Sequence, residues 1–230
     1  MLNIRELRKY AFKRGLKVLD HIRKDYIQDL TLFILYSRIF PKFIFKGGTC
    51  LWKLYKSFRF SEDIDLQVDK KMVFDRELVH ELELWGFDVE VQKKRYTQNS
   101  LFMRLMLRGA DFGSTQISIE MTFRKGIGEE RILYSPYPDI PDFEVYSQPL
   151  EIMLQDKVNA LMTRSKPRDL FDIYFIITRY NLQIKCDPQL LERRIDMLKS
   201  QWESLRAIVM RRLPDFNEVK RVVIKNTVFE

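Results

Sequence analysis

The stretch between Phe43 and Leu66 constrains the fold more than any other part of the chain. Residues 43–46 form a short apolar, β-prone run, which predicts a buried strand ending at Lys46. Gly47 and Gly48 follow, and they permit a tight turn and a close approach of the backbone to a ligand. Residues 50–56 have the apolar spacing of a helix. Free N–H groups and the dipole at a helix start favour phosphate, and Thr49 adds a hydroxyl there.

The second half of this stretch is predicted to be a turn that enters a strand. Asp63 and Asp65 are two residues apart, so on a strand both carboxylates point to one face. Ile64 and Leu66 point to the other face, towards a core. Two carboxylates held side by side repel each other unless a cation lies between them, and such oxygen pairs suit Mg²⁺ that bridges substrate phosphates.

Composition limits the class of protein. The chain has 230 residues, of which 46% are hydrophobic, enough for one sizeable core or for a core with a helical appendage. No run is apolar enough for a membrane span, and the charged start argues against a signal peptide. Cys50 and Cys186 make neither a disulfide framework nor a zinc site, so we expect a cytoplasmic protein. A net charge of +8 favours phosphate-rich partners, including RNA.

The N-terminal part alternates helices and strands. Ile4–Lys13 and Leu16–Tyr36 are predicted to be helices, and Lys24 and Asp25 in the second are expected to form an exposed charge pair beside a buried Tyr26. A helix over residues 71–85 is expected to end at a glycine. Strands are predicted over residues 87–92, 100–108 and 115–124, the last two forming a hairpin.

Glu120 lies at the centre of the last of these strands, on its polar face. It is the only acidic residue of that strand. The pattern leaves two interpretations open: a solvated sheet residue, or a carboxylate that serves a site.

The C-terminal part is predicted to be helical. Residues 125–149 are rich in glycine and proline and indicate a boundary, so we expect an α/β domain over 1–148 and a helical domain over 149–230. Lys157 and Arg164 share one face of a helix over residues 150–163. A further helix is expected to start at Pro167, with Arg168 and Asp172 placed to form an (i, i+4) pair. Two more helices are predicted over residues 187–198 and 202–212.

Taken together, these motifs resemble a known family. Gly47-Gly48-Thr49 followed after thirteen residues by Asp63-Ile64-Asp65 matches the nucleotidyltransferases of the polymerase-β-like superfamily. The wider pattern, Phe45–Thr49 and then Arg59–Leu66, resembles the AbiEii/AbiGii toxin family of nucleotidyltransferases from abortive-infection and toxin–antitoxin systems. Lys24-Asp25-Tyr26, ahead of these motifs, also resembles that family.

The resemblance implies a fold and a set of site residues. The fold would be α+β, a polymerase-β-like nucleotidyltransferase core with a mixed sheet flanked by helices and a C-terminal helical bundle. Gly47, Gly48 and Thr49 would hold the triphosphate, and Ser61 would also bind the nucleotide. Asp63 and Asp65 would hold Mg²⁺ or Mn²⁺. Glu120 would be the third carboxylate, which binds metal and acts as a base.

A third motif extends the resemblance into the C-terminal part. Lys157, Ala160-Leu161 and Arg164, followed by Arg168-Asp169 and Asp172, match the family pattern. By that resemblance Lys157 contacts the nucleotide phosphates, Asp172 belongs to the active site, and Arg164 and Arg168 add positive charge for the nucleotide.

The function implied is an Mg²⁺-dependent toxin that transfers a nucleotide from an NTP to an acceptor hydroxyl, at the end of a tRNA or another RNA. A cognate antitoxin is the expected protein partner, and no membrane is involved. Two alternatives stay open. One is a catalytically idle fold that binds nucleic acid or a partner. The other is a nucleotidyltransferase that acts on a small molecule or a protein, including self-modification at Ser61.

Overall fold

The computed structural model describes residues 2–229, which divide into two units. The N-terminal unit comprises the residues up to Lys56 together with Ser61–Gln148. The C-terminal unit comprises Ser57–Phe60 and the chain from Pro149 onward. No helix among the described residues is long and apolar enough to cross a lipid bilayer.

A seven-stranded mixed sheet forms the centre of the N-terminal unit. Its strands are β1 (Ile44–Lys46), β2 (Asp63–Val68), β3 (Asp88–Tyr96), β4 (Ser100–Gly109), β5 (Gly113–Phe123), β6 (Glu129–Leu133) and β7 (Phe143–Ser147). They are arranged in the order β3-β4-β5-β2-β1-β7-β6. The pairs β2–β5 and β1–β7 are parallel, and the other neighbours are antiparallel.

Four helices accompany this sheet: α1 (Ile4–Ala11), α2 (Leu19–Ile34), α3 (Gly47–Lys53) and α4 (Asp75–Leu84). Asn3 caps α1 reciprocally with Glu6, which satisfies three backbone N–H groups at the helix start, those of Asn3, Arg5 and Glu6. Helix α2 continues into one π-helical turn at Leu35–Ile39. Helices α2 and α4 pack on the sheet face that carries the fully buried side chains of β4, which are Leu101, Met103, Leu105 and Leu107.

The C-terminal unit is mainly helical. It contains α5 (Leu150–Arg164), α6 (Pro167–Tyr180), α7 (Pro188–Asp196), a 3₁₀ segment (Lys199–Ala207) and α8 (Phe216–Lys225). Pro167 is the first residue of α6, where its missing N–H costs nothing. Two short strands, β8 (Ile184–Lys185) and β9 (Thr227–Val228), pair in parallel. The segment Ser57–Phe60 joins this unit through an antiparallel bridge between Arg59 and Val209.

The expected α+β class, with a mixed sheet flanked by helices and C-terminal helices, is confirmed. The prediction of a helix over residues 202–212 was wrong, because the chain forms the 3₁₀ segment at Lys199–Ala207 and no regular helix from there to residue 212. The pairing of β8 with β9 had no counterpart in the sequence analysis, since strands of two residues give no periodic signal.

Candidate active site

Three acidic residues share one face of two neighbouring strands. Asp63 and Asp65 alternate with Ile64 on β2, and Ile64 is fully buried on the opposite face. In the parallel pairing of β2 with β5, Asp65 is in register with Glu120. Asp63 and Glu120 are exposed and Asp65 is half-buried. Partners in register point to the same side of a sheet, so the three carboxylates project from one surface.

The glycine turn lies against this acidic surface. Gly47 is the first residue of α3 and has a φ of +75°, a conformation that side chains rarely allow. A Cβ at this position would be 2.1 Å from Oδ2 of Asp65. A glycine is therefore required both by the backbone conformation and by the closeness of the Asp65 carboxylate.

Thr49 and Ser61 take different positions near the acidic residues. Thr49 is fully buried, and its hydroxyl donates a hydrogen bond to the backbone carbonyl of Asp63. It thus ties α3 to the start of β2. Ser61 is half-buried, and its carbonyl accepts a hydrogen bond of 2.8 Å from Nε2 of Gln28, which bonds the next carbonyl as well. Gln28, which the sequence analysis did not identify, thereby holds the backbone immediately before Asp63.

The donor set suits a hard divalent cation. Carboxylate oxygens are the ligands that Mg²⁺ prefers, and Mg²⁺ is commonly held by one or two carboxylates plus substrate phosphates. Within residues 2–229, no three side chains among His, Cys, Asp and Glu are grouped closely enough to hold a metal ion by themselves. The residues present therefore fit an ion held by Asp63 and Asp65 together with the phosphates of a nucleotide, with Glu120 one strand away.

A group of buried charged side chains joins α3 to α2. Asp25, on α2, accepts hydrogen bonds from Nζ of Lys53 at 2.6 Å and from Nε1 of Trp52 at 2.7 Å. Arg14 bonds the carboxylates of both Asp25 and Asp29 at 2.8 and 2.9 Å, and Lys53 also contacts Asp29 at 2.8 Å. Burial alone would raise the pKa of Asp25, but the charges of Arg14 and Lys53 outweigh it and hold that pKa below its usual value.

This corrects the expectation that Lys24 and Asp25 form an exposed charge pair. Asp25 has no exposed surface, whereas Lys24 keeps part of its side chain exposed and contacts Asp20 at 2.9 Å and Glu62 at 3.2 Å. Two adjacent residues on a helix are about 100° apart, so one can be buried while the next is solvated. The Lys24-Asp25-Tyr26 resemblance was the only signal for this group in the sequence.

A second group of charges lies within the C-terminal unit. Asp172, which is fully buried, accepts two hydrogen bonds of 2.8 Å from the guanidinium of Arg59 and one ion pair of 2.8 Å from Lys157. Lys157 is also 3.6 Å from Asp169. Nε and Nη2 of Arg164 donate hydrogen bonds to the two carboxylate oxygens of Asp169. Although burial would raise the pKa of Asp172, the charges of Arg59 and Lys157 lower it to about 2.

The predicted pair between Arg168 and Asp172 is wrong: among the ion pairs of the described residues none joins these two side chains, and Asp172 is occupied by Arg59 and Lys157. Arg59 was not predicted as a partner of Asp172, since the two residues are 113 positions apart in the chain. The predicted site residues thus fall into two groups. Gly47, Gly48, Thr49, Ser61, Asp63, Asp65 and Glu120 are in the N-terminal unit, and Lys157, Arg164, Arg168 and Asp172 are in the C-terminal unit.

Three solved structures of similar fold come from two bacteria. MenT4, a nucleotidyltransferase toxin from Mycobacterium tuberculosis, aligns with a TM-score of 0.64 and 19% identity, over 98% of this chain and 88% of that one. JHP933 from Helicobacter pylori aligns with a TM-score of 0.58 and 17% identity, over 89% of each chain. A putative nucleotidyltransferase from H. pylori gives a TM-score of 0.57 and 19% identity, over 91% of this chain and 93% of that one.

Sequence comparison gives the family. No curated protein matches the sequence. The family model described as "Nucleotidyl transferase AbiEii toxin, Type IV TA system" matches residues 32–220, which include the glycine turn, the aspartate pair and Lys157. With most of its length matched by this model, the chain belongs to the AbiEii family of nucleotidyl transferase toxins.

Proposed function

We propose that this AbiEii-family nucleotidyltransferase uses Mg²⁺ to transfer a nucleotide from an NTP to a hydroxyl of an RNA acceptor, with tRNA as the first candidate. One observation carries the proposal: the Asp65 carboxylate lies between the left-handed Gly47 and the in-register Glu120. This arrangement supports a position for phosphates on one side of the aspartate pair, with a third carboxylate on the other.

The chemistry requires no covalent intermediate with the protein. The acceptor oxygen forms a bond to the α-phosphorus of the NTP, the bond from that phosphorus to the bridging oxygen breaks, and pyrophosphate leaves. The hydroxyl proton passes to a carboxylate, for which exposed Glu120 is the candidate on this surface. A bound divalent ion, held by Asp63 and Asp65, would neutralise charge that develops on the phosphate oxygens.

The remaining residues have supporting roles in this proposal. Gly47 and Gly48 give the phosphates access to the backbone, and Thr49 fixes the turn relative to Asp63 through its hydrogen bond. Lys157, Arg164, Arg168 and Asp172 stay predictions from the family resemblance, as does the cognate antitoxin. An RNA acceptor is supported by the net charge of +8, since a basic protein attracts polyanions.

The test is transfer of label from α-³²P-NTP to RNA in the presence of Mg²⁺. We expect Asp63→Ala to lose transfer by at least about a thousandfold, as for loss of a ligand of a catalytic metal. Asp69→Ala is the matched control, because Asp69 is an exposed acidic residue just beyond the end of β2. Equal labelling by wild type and Asp63→Ala would refute the assignment. Label on the protein itself, rather than on RNA, would refute the RNA acceptor.

A further inference from the structure

A second surface of the sheet lies beside the acidic residues, on strands β3 and β4. Alternate residues of β4 are buried against the helices, so its half-exposed residues, including Phe102 and Arg104, face the same side as Glu120. Strand β3 is the edge strand and its side chains are almost all exposed. This face of β3 and β4, with Lys93, Arg95, Phe102 and Arg104, is called the β4 platform below.

The strand register places the β4 platform next to the aspartate pair. One row across the sheet runs from Asp65 to Glu120, then to Phe102 and then to Arg95. The neighbouring row runs from Asp63 to Ser118, then to Arg104 and then to Lys93. Since adjacent strands are about 4.8 Å apart, Phe102 is only about 10 Å from the line of the two aspartates.

Two cations flank the Phe102 ring. The guanidinium carbon of Arg104 is 5.6 Å from the ring centroid, and Nζ of Lys93 is 6.0 Å from it. Nε of Arg104 also bonds the hydroxyl of Ser118 at 3.4 Å, which holds the guanidinium on this face. A partly exposed aromatic ring close to a guanidinium and an ammonium can stack a nucleobase while the two cations contact its phosphates.

The direction of the reaction decides which nucleotide belongs on this platform. Gly47, the proposed phosphate side, begins the helix that follows β1, whereas Phe102 is on β4, beyond Glu120 on the opposite side of β2. In nucleotidyl transfer the attacking and leaving oxygens are roughly in line with the phosphorus. If pyrophosphate leaves towards Gly47, the acceptor hydroxyl approaches from the side of β5 and β4.

We infer that the β4 platform binds the terminal nucleotide of the single-stranded RNA acceptor, with its base stacked on Phe102 and its phosphates contacted by Arg104 and Lys93. This inference rests on the proposed function. The terminal hydroxyl then lies one strand from the base, at Glu120 and the aspartate pair. The platform selects an end over an internal position, because a base inside a duplex is stacked on both faces and has none open to Phe102.

Steady-state transfer kinetics separate the two substrates. We expect Phe102→Ala to raise the KM for RNA by about tenfold, the effect of losing one base stack, with the KM for NTP unchanged. Phe102→Trp, which keeps a stacking face, restores the KM for RNA. Met106→Ala is the matched control, since Met106 is a half-exposed residue on the same face of β4, four residues further from the acids. A rise in the KM for NTP instead would place the donor base on the platform and overturn the inference.

RNA binding tests the platform without catalysis. The probe is a fluorescein-labelled single-stranded oligoribonucleotide of about twelve nucleotides, followed by anisotropy with the Asp63→Ala protein. Lys93→Ala should weaken binding and lower the slope of log Kd against log salt by about 0.7, the loss of one phosphate contact. Binding that is indifferent to both Phe102 and Lys93, with transfer intact, overturns this inference and leaves the proposed function standing. If RNA binding depends on Phe102 and Lys93 but the wild-type protein transfers no nucleotide, the proposed function is refuted and the RNA-binding platform stands.

Discussion

Substitution of Lys53 measures how much the buried charges between α2 and α3 contribute to the stability of the fold. Its ammonium is 2.6 Å from Asp25 and 2.8 Å from Asp29, and all three side chains have no exposed surface. Lys53→Met would leave the charges of two buried carboxylates opposed by one guanidinium, that of Arg14. Breaking a buried ion pair by removing one partner costs about 3–5 kcal/mol, because the remaining charge is uncompensated. We therefore expect a loss of about 4 kcal/mol in the free energy of unfolding.

Lys24 is the matched control for this change. It also contacts two carboxylates, at 2.9 and 3.2 Å, but Asp20 and Glu62 are 54% and 49% exposed. Exposed ion pairs contribute about 0–1 kcal/mol, so Lys24→Met should cost less than about 1 kcal/mol. The two lysines differ mainly in burial, and the difference between the two variants isolates that effect.

The assay is urea unfolding followed by far-UV circular dichroism. With an m-value of about 2 kcal/mol per molar urea, Lys53→Met should lower the midpoint by about 2 M. Hydrogen exchange of peptides covering α2 and α3 should show the loss of protection there first.

A double variant tests the reasoning further. Asp29→Asn removes one negative charge, so Lys53→Met with Asp29→Asn leaves Arg14 and Asp25 as a balanced pair. The double variant should be more stable than the sum of the single changes predicts, by about 2 kcal/mol. Additive single changes, or a Lys53→Met cost equal to that of Lys24→Met, would refute the explanation.

Two further predictions follow from the geometry. Gly47→Ala and Gly86→Ala both place a side chain at a positive φ, which should cost about 1–2 kcal/mol. Gly47→Ala should cost more than Gly86→Ala, because its Cβ would also be 2.1 Å from Oδ2 of Asp65, and it alone should lose nucleotide transfer. Equal transfer activities of the two variants would contradict the role of the turn. The pKa of Asp172, lowered from 3.8 to about 2, corresponds to about 2 kcal/mol of stability that is fully present above pH 5 and is lost as pH falls through 2. Urea unfolding at a series of pH values measures this effect. The free energy of unfolding of Asp172→Asn should approach that of the wild type as pH falls from 5. A difference that grows towards acid pH would contradict the lowered pKa of Asp172.

Local sequence signals predicted the elements that position the acidic surface. The alternation of β5 placed Glu120 on the polar face, and the glycine pair marked the start of α3, because both signals depend on residues close in sequence. The burial of Asp25 could not be predicted in this way. Its partners Arg14, Lys53 and Tyr137 are 11, 28 and 112 residues away, so only the fold brings them together. Separation along the sequence is also the reason why Arg59 could not be predicted as the partner of Asp172, or Phe102 as the neighbour of Glu120 in the sheet.

The segment Ser57–Phe60 has a consequence for biosynthesis. Arg59 leaves the ribosome long before Asp172, which follows 113 residues later. At translation speeds of about 5–20 residues per second, Asp172 is synthesised roughly 6–23 s after Arg59. The C-terminal unit therefore cannot finish folding until its helices have been synthesised. A fragment that begins at Pro149 would lack Ser57–Phe60, the segment that supplies Arg59. A nascent chain stalled before α6 would carry that arginine without its acidic partner.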